Sequence, residues 1–451
     1  MTIATPFARR IAGVFATRVV RFVLGFATSF LLARILGPGG RGAYYLVSLT
    51  PTTLATLGQF GLPSAMSFFA GRGRSTRTLQ SLGFLLAIGL SVTLLLGTLA
   101  ALPWLEQTVL RAAPDDLLRL SLFSLPFQFL ASFAGAILIG RQVMRNYNVI
   151  LVVQSVLTLG LIALLVGVLR MGVFGAVLAN LILAGVTAAA TMNELRRMNR
   201  HDHEPEGRPT IRVGELLAYG AKIYPASITG FFSYRADVFL LSALLADPRP
   251  IGLYSLAVSM AELTFFIPDS VGTVFFPHVA GSDRGDADSL APAVTRFTVL
   301  ITSLSVIGLV PAAFAAVYLI VPSFSASIPA FLIIMPGIVA LSVSKILSSY
   351  VGGLGMPLRV AVASGVALVL NVIANLFLIP IFGFVGASIA SLISYSVHAL
   401  MLVTISSRLS GRPALSFVIP TRAEWVRLVT GIREVRALRK GATPQPPGAQ
   451  A

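Results

Sequence analysis

Apolar stretches long enough to cross a lipid bilayer recur about a dozen times along this chain, separated by short polar connections. No other feature constrains its fold as strongly, because a hydrocarbon core of roughly 30 Å takes about 20 residues of α-helix. The stretches lie at about 12–36, 43–70, 79–103, 117–140, 147–169, 172–195, 217–245, 251–280, 292–320, 326–352, 358–381 and 383–407. In lipid the backbone must satisfy its own hydrogen bonds, and these runs far exceed the ~10-residue alternating strands of a membrane barrel. The expectation is an all-α polytopic membrane protein of about 12 transmembrane helices. Composition agrees, since 56% of the 451 residues are hydrophobic and only 11% are charged. The absence of cysteine removes disulfides, thiolate nucleophiles and thiolate metal sites. The first stretch carries Arg18 and Arg21 and no small-residue cleavage site after a short core, so it reads as a retained helix.

The net charge of +17 has a topological explanation. Twenty-two Lys and Arg residues fall at the N-terminus, in even-numbered connections and from Arg408 onward, against six in odd-numbered connections, namely Arg34, Arg41, Arg111, Arg119, Arg170 and Arg249. By the positive-inside rule both termini are cytoplasmic. The basic residues form no patch interleaved with aromatics, so a nucleic-acid partner is not expected; anionic membrane lipids are.

The chain repeats itself. Leu31, Ala33, Pro38, Gly42, Tyr44 and Leu46 recur as Leu241, Ala243, Pro248, Gly252, Tyr254 and Leu256, an offset of 210. Gly172, Gly175, Ala176 and Ala179 recur as Gly383, Gly386, Ala387 and Ala390, an offset of 211. A six-helix unit returns the chain to its starting side, so the expected architecture is two parallel six-helix repeats around a central cleft. The expected division is an N-terminal bundle over 1–195, a cytoplasmic linker over 196–215, a C-terminal bundle over 216–408 and a basic cytoplasmic tail over 409–451. In that tail Thr421 to Glu424 has a capping-box pattern, and Trp425, Leu428, Val429 and Ile432 share one helical face, as in a helix lying on the membrane surface.

Ala33-Arg34-Ile35-Leu36-Gly37-Pro38 with Gly42-Ala43-Tyr44, and Gly61-Leu62-Pro63-Ser64-Ala65, resemble the first helix pair of the bacterial polysaccharide and oligosaccharide flippases. These belong to the multidrug/oligosaccharidyl-lipid/polysaccharide exporter superfamily. Asp237 to Ala257, Phe276-Pro277 and Ile379-Pro380-x-x-Gly383-x-x-Gly386 are similar to its second half. The resemblance implies an alternating-access flippase in the bacterial inner membrane. It would carry undecaprenyl-pyrophosphate-linked oligosaccharide from the cytoplasmic to the periplasmic leaflet, without a cofactor, alongside other polysaccharide-assembly membrane proteins.

Charged side chains near the bilayer centre cost roughly 2.5–3.5 kcal/mol each on insertion scales, so each asks for a reason. Arg18, Arg21, Arg235 and Lys345 are candidates for a cationic cavity that receives the pyrophosphate, since guanidinium groups bind phosphate oxygens in pairs. Snorkelling to the interface or structural ion pairing is the alternative for each. Asp237 and Glu262 are candidates for coupling to a proton or sodium ion. Arg235 and Asp237 lie two apart, so they point about 200° apart around a helix and must find partners on other helices. In the first repeat their counterparts are Gly25 and Ala27, so the ionisable positions break the symmetry that the packing glycines keep. Gln59, Gln128, Gln154, Asn180, Asn371 and Asn375 are polar within helices and suit either a sugar path or interhelical hydrogen bonds. No enzyme signature is present: the only adjacent acidic pair is Asp115-Asp116, in a short connection. Two other functions stay open, a cation-coupled multidrug exporter of the same superfamily and a membrane glycan polymerase or ligase.

Overall fold

A computed structural model describes residues 4–201 and 209–419, the side chains of 4–16, 18, 19 and 201 excepted. The helices run α1 Ala4–Gly58, α2 Leu62–Gly71, α3 Thr76–Thr108, α4 Asp115–Leu122, α5 Leu125–Gly140, α6 Met144–Ile162 and α7 Gly172–His201. They continue with α8 Val213–Leu245, α9 Pro248–Ala261, α10 Phe266–Gly281, α11 Arg284–Ile320, α12 Ser327–Gly353, α13 Pro357–Phe382 and α14 Phe384–Ser410. No strand occurs among the described residues.

Eleven segments among the described residues are long and apolar enough to cross a membrane. The first of them, Val20–Gly58, consists of two arms joined at Gly37, whose φ of 64° and ψ of −179° are not helical. Every one of the twelve apolar stretches therefore corresponds to a helical arm. The joint has a local cause. Pro38 disfavours helical backbone at the preceding residue, and glycine adopts positive φ without penalty. Large side chains such as Leu85, Leu96, Leu319, Leu358 and Ile381 are more than 60% exposed, the outward apolar surface of a multi-pass membrane protein.

Two departures from uninterrupted helices matter for the site. The stretch expected at 251–280 is broken by a 3₁₀ turn over Glu262–Phe265 between α9 and α10. The stretch at 147–169 ends in π-helical turns over Ala163–Val168, which immediately follow α6.

The described residues pack as two compact units. The larger comprises Met1–Leu263, Val310–Pro336 and Ser364–Ser394; the second comprises Thr264–Leu309, Gly337–Ala363 and Tyr395–Ala451. Phe129, Phe133, Leu62, Met66 and Leu79 centre the core of the first, and Phe275, Ile346, Leu347, Tyr350 and Phe417 that of the second.

Within the larger unit α1 crosses α9 at the glycines that the repeat relates. A Cβ on Gly42 would lie 1.7 Å from the Pro248 carbonyl oxygen, and one on Gly252 would lie 1.9 Å from the Pro38 carbonyl oxygen. Pro38 and Pro248 are themselves repeat mates. The contact is thus reciprocal, the signature of a local pseudo-twofold axis through the crossing. Small residues allow this approach where lipid supplies no hydrophobic drive between helices.

The structure corrects the placement of Arg41. It lies inside the second arm of α1, only 4% exposed, and is not a connection residue. The tail helix expected from Thr421 onward, residues 202–208 of the linker and the side chain of Arg18 lie outside the described residues.

Candidate functional site

Helix α8 carries two ionisable residues two positions apart, and each finds partners on other helices. Arg235 reaches back across the bundle: its Nη1 donates to Glu262 Oε1 at 2.9 Å and to the Tyr45 hydroxyl at 3.2 Å. The pair is not sealed, because the Arg235 and Glu262 side chains keep 26% and 28% of their surface accessible. Glu262 owes its position to the break after α9, where it caps the helix C-terminus and opens the 3₁₀ turn. A guanidinium at that end also meets the negative pole of the α9 dipole.

Asp237 points to the other side of α8 and is 3% exposed. Tyr254 Oη donates to its Oδ2 at 2.5 Å, Ser391 Oγ donates to the same oxygen at 2.7 Å, and Asn375 Nδ2 donates to Oδ1 at 2.7 Å. Asn375 Nδ2 is also in reach of Asn371 Oδ1 at 3.1 Å, and Asn371 approaches Ser394 Oγ at 3.5 Å. The Asn375 Oδ1 atom is buried and has no hydrogen-bond partner among the described residues. Three helices, α9, α13 and α14, thus surround one carboxyl of α8 with neutral donors. No cationic side chain pairs with it among the described residues. A buried carboxylate without a counter-ion is costly, and neutral donors offset only part of that cost.

The repeat isolates what is special about this cluster. Tyr44 is the counterpart of Tyr254, and its hydroxyl donates to Asn180 Oδ1 at 3.2 Å, as Tyr254 lies 3.3 Å from Ser391. Asn180 and Ser391 are separated by the same 211 residues as the repeated glycines. The tyrosine contact is therefore common to both copies, whereas the carboxylate belongs to the second alone.

Lys345 lies in the second unit, where its Nζ donates to Asp269 Oδ1 at 2.5 Å and sits 4.3 Å from the centre of the Phe265 ring. Arg21 is exposed on the first arm of α1. Of the six residues that the sequence singles out, the structure brings together Arg235 with Glu262, gives Asp237 a separate shell, and gives Lys345 the partner Asp269.

Sequence reasoning missed Arg41. Its Nε donates to Ser255 Oγ at 3.0 Å, Nη1 to the Ser29 carbonyl at 2.5 Å, and Nη2 to Ser29 Oγ at 2.9 Å and Ser259 Oγ at 3.3 Å. These are neutral partners, and the guanidinium carbon lies 6.0 Å from the Phe324 ring. Placing Arg41 beside a loop glycine run hid its role. The repeat held the signal, because the counterpart of Arg41 is Ile251, which is fully buried.

The fold is found among solved transporters. The chain is similar to a structure of the lipid II flippase MurJ in an inward closed conformation, with a TM-score of 0.71, 13% identity and coverage of 90% of this chain and 89% of that one. It is also similar to an inward-facing multidrug resistance MATE family transporter, with a TM-score of 0.64, 15% identity and coverage of 87% and 98%. An outward-facing transporter of that kind matches at a TM-score of 0.63, 17% identity and 90% and 95% coverage. In sequence, a probable low-salt glycan biosynthesis flippase of Haloferax volcanii is 27% identical over 201 residues, which are 41% of this chain and 40% of that relative. The sequence model of the polysaccharide biosynthesis protein family matches residues 8–281, more than half of the chain and including α1 to α10. With that span matched and the helices where the repeat puts them, the chain belongs to the polysaccharide biosynthesis protein family.

Proposed function

We propose that this protein is a flippase that moves undecaprenyl-pyrophosphate-linked oligosaccharide from the cytoplasmic to the periplasmic leaflet of the bacterial inner membrane by alternating access. In this reading both termini are cytoplasmic, the two repeat halves over 1–195 and 216–408 are the moving bodies, and no covalent step is catalysed. The observation that carries it is the accessible Arg235–Glu262 pair on a span of a polysaccharide biosynthesis family member. A pyrophosphate that enters this site competes with Glu262 for the guanidinium, exchanging one charge-assisted partner for another. Arg18, Arg21 and Lys345 are the further cationic residues that the sequence offers to the cargo's phosphates.

Energetics favour outward movement. A pyrophosphate carries about two negative charges, each worth about 2.3 kcal/mol per 100 mV, and an interior-negative potential pushes them out. The empty carrier then has to return. Asp237, buried without a cationic partner, is the proposed seat of the proton or sodium ion whose binding and release resets it.

The test is movement of undecaprenyl-pyrophosphate-linked oligosaccharide in proteoliposomes under an imposed potential. Wild-type protein is expected to move it, and Asp237→Asn to slow turnover and alter its dependence on pH or sodium. Efflux of a lipophilic cation in place of lipid-linked cargo would make the protein a multidrug exporter. Unchanged ion dependence in both Asp237→Asn and Glu262→Gln would replace coupling by potential-driven uniport.

A further inference from the structure

A second polar feature lies inside the larger unit, with no ionisable residue in its lining. A cavity of about 520 Å³ opens among the second arm of α1, the α4–α5 segment, α6 and α7. Its volume falls within the roughly 300–1,000 Å³ of ligand pockets and would hold on the order of fifteen waters at ~30 Å³ each. Twelve of its twenty lining residues carry a hydroxyl or an amide, and none is ionisable.

The lining is written in the sequence at helical spacing. Ser48, Thr52, Thr56 and Gln59 form one stripe of α1; Ser124, Gln128 and Ser132 another at the start of α5; Gln154 and Thr158 a third on α6; Asn180 and Thr187 a fourth on α7. Spacings of three, four and seven put each set on one face of its helix. Four polar stripes converging in a membrane span are expensive unless something polar fills the space between them.

The polar groups of the stripes satisfy one another only in part. Ser132 Oγ donates to Gln59 Oε1 at 3.0 Å, Gln128 Nε2 to Ser124 Oγ at 2.9 Å, and Asn180 Nδ2 to Ser48 Oγ at 2.9 Å. That leaves Gln59 Nε2, Gln128 Oε1 and the whole Gln154 amide without a side-chain partner among the described residues. The threonine hydroxyls of Thr52, Thr56 and Thr158 donate to carbonyls one turn back, so each presents an acceptor oxygen to the cavity. Phe127, 38% exposed, adds a ring face to the lining.

We propose that this cavity binds the uncharged saccharide portion of the cargo, as a neutral subsite next to the ionic one. Closely spaced donors and acceptors match vicinal sugar hydroxyls, and a ring face matches the apolar face of a pyranose. A lining without charge offers neither a cationic partner to a phosphate nor a carboxylate to a lipophilic cation. Consecutive residues of α1 join the two sites: Tyr44 binds the cavity residue Asn180, and Tyr45 binds Arg235. The proposal rests on the flippase reading for the identity of its ligand.

The chain has no cysteine, so Thr158→Cys or, as a second position, Ala184→Cys puts a single thiol in the lining of the full-length protein. Maleimide labelling of the purified variants is measured with a panel of neutral tri- to pentasaccharides, with inorganic pyrophosphate and with ethidium. A neutral saccharide at about ten times its dissociation constant slows labelling about tenfold, and Gln154→Leu in the same background removes that protection. Labelling unaffected by every saccharide, or slowed by ethidium or pyrophosphate instead, overturns the proposal. Liposome transport is read separately. Transport without saccharide protection refutes the subsite and leaves the flippase; protection without transport refutes the flippase and leaves a saccharide site.

Discussion

Gly42→Val is expected to remove most folded protein from the membrane, and Gly252→Val to do the same. The α1–α9 crossing brings each glycine against a carbonyl oxygen of the opposite chain segment, with ideal Cβ positions only 1.7 Å and 1.9 Å from Pro248 and Pro38 oxygens. Backbone is the obstacle on both sides, so no side chain can rotate away, and the helices must separate. Separation would cost the whole crossing, including the two hydrogen bonds that Arg41 makes across it to Ser255 and Ser259. A loss of about 3 kcal/mol or more is expected, at the upper end for overpacking. Gly39→Val is the control, since a Cβ there meets only the flexible Arg249 side chain at 3.6 Å. Abundance and thermal stability of the purified variants would be compared; wild-type stability in Gly42→Val would show that the two helices are not held as close as described.

Arg235→Ala is expected to lower transport of lipid-linked oligosaccharide roughly a hundredfold, because a charge-assisted hydrogen bond is worth about 1.5–3 kcal/mol and a phosphate can accept two from one guanidinium. Removing the arginine also leaves Glu262 without the partner 2.9 Å away, so a simple loss of activity would be ambiguous. Arg235→Gln with Glu262→Gln resolves this, since the double variant removes both charges and leaves neutral amides of similar size. It should regain wild-type abundance and stay inactive. Arg235→Lys keeps the charge and loses the fork, and is expected to retain partial transport. Wild-type transport in Arg235→Ala would take this residue out of the cargo site, and full recovery in the double variant would reduce it to a structural ion pair.

Much of the architecture was legible because membrane helices obey one-dimensional rules. Length and apolarity place each span, and the joint at Gly37 is announced by the following proline. The offset of 210 relates Gly42 to Gly252, and the structure adds that this pair of repeat mates lies at the crossing. The break over Glu262–Phe265 contains no glycine or proline, and its signal stands one turn later in Pro268, which has no N–H to donate to Thr264 and crowds its carbonyl. Arg41 was misplaced for a related reason, as a glycine run around a basic residue reads as a loop unless its repeat mate is consulted.

The sequence by itself determined which helices exist, where they cross the membrane, which positions repeat and that charge is scarce within the spans. These follow from local backbone satisfaction and from periodicity, which need no knowledge of neighbours. Only the tertiary structure decided what each polar residue faces. Gln59, Gln128, Gln154 and Asn180 look the same in sequence as Asn371 and Asn375, yet the first four line an uncharged cavity while the other two surround the buried Asp237 carboxyl. Periodicity assigns a side chain to a face of its own helix; the helix packed against that face, set by contacts more than a hundred residues away in the chain, determines whether the face meets an amide, a carboxylate or open space.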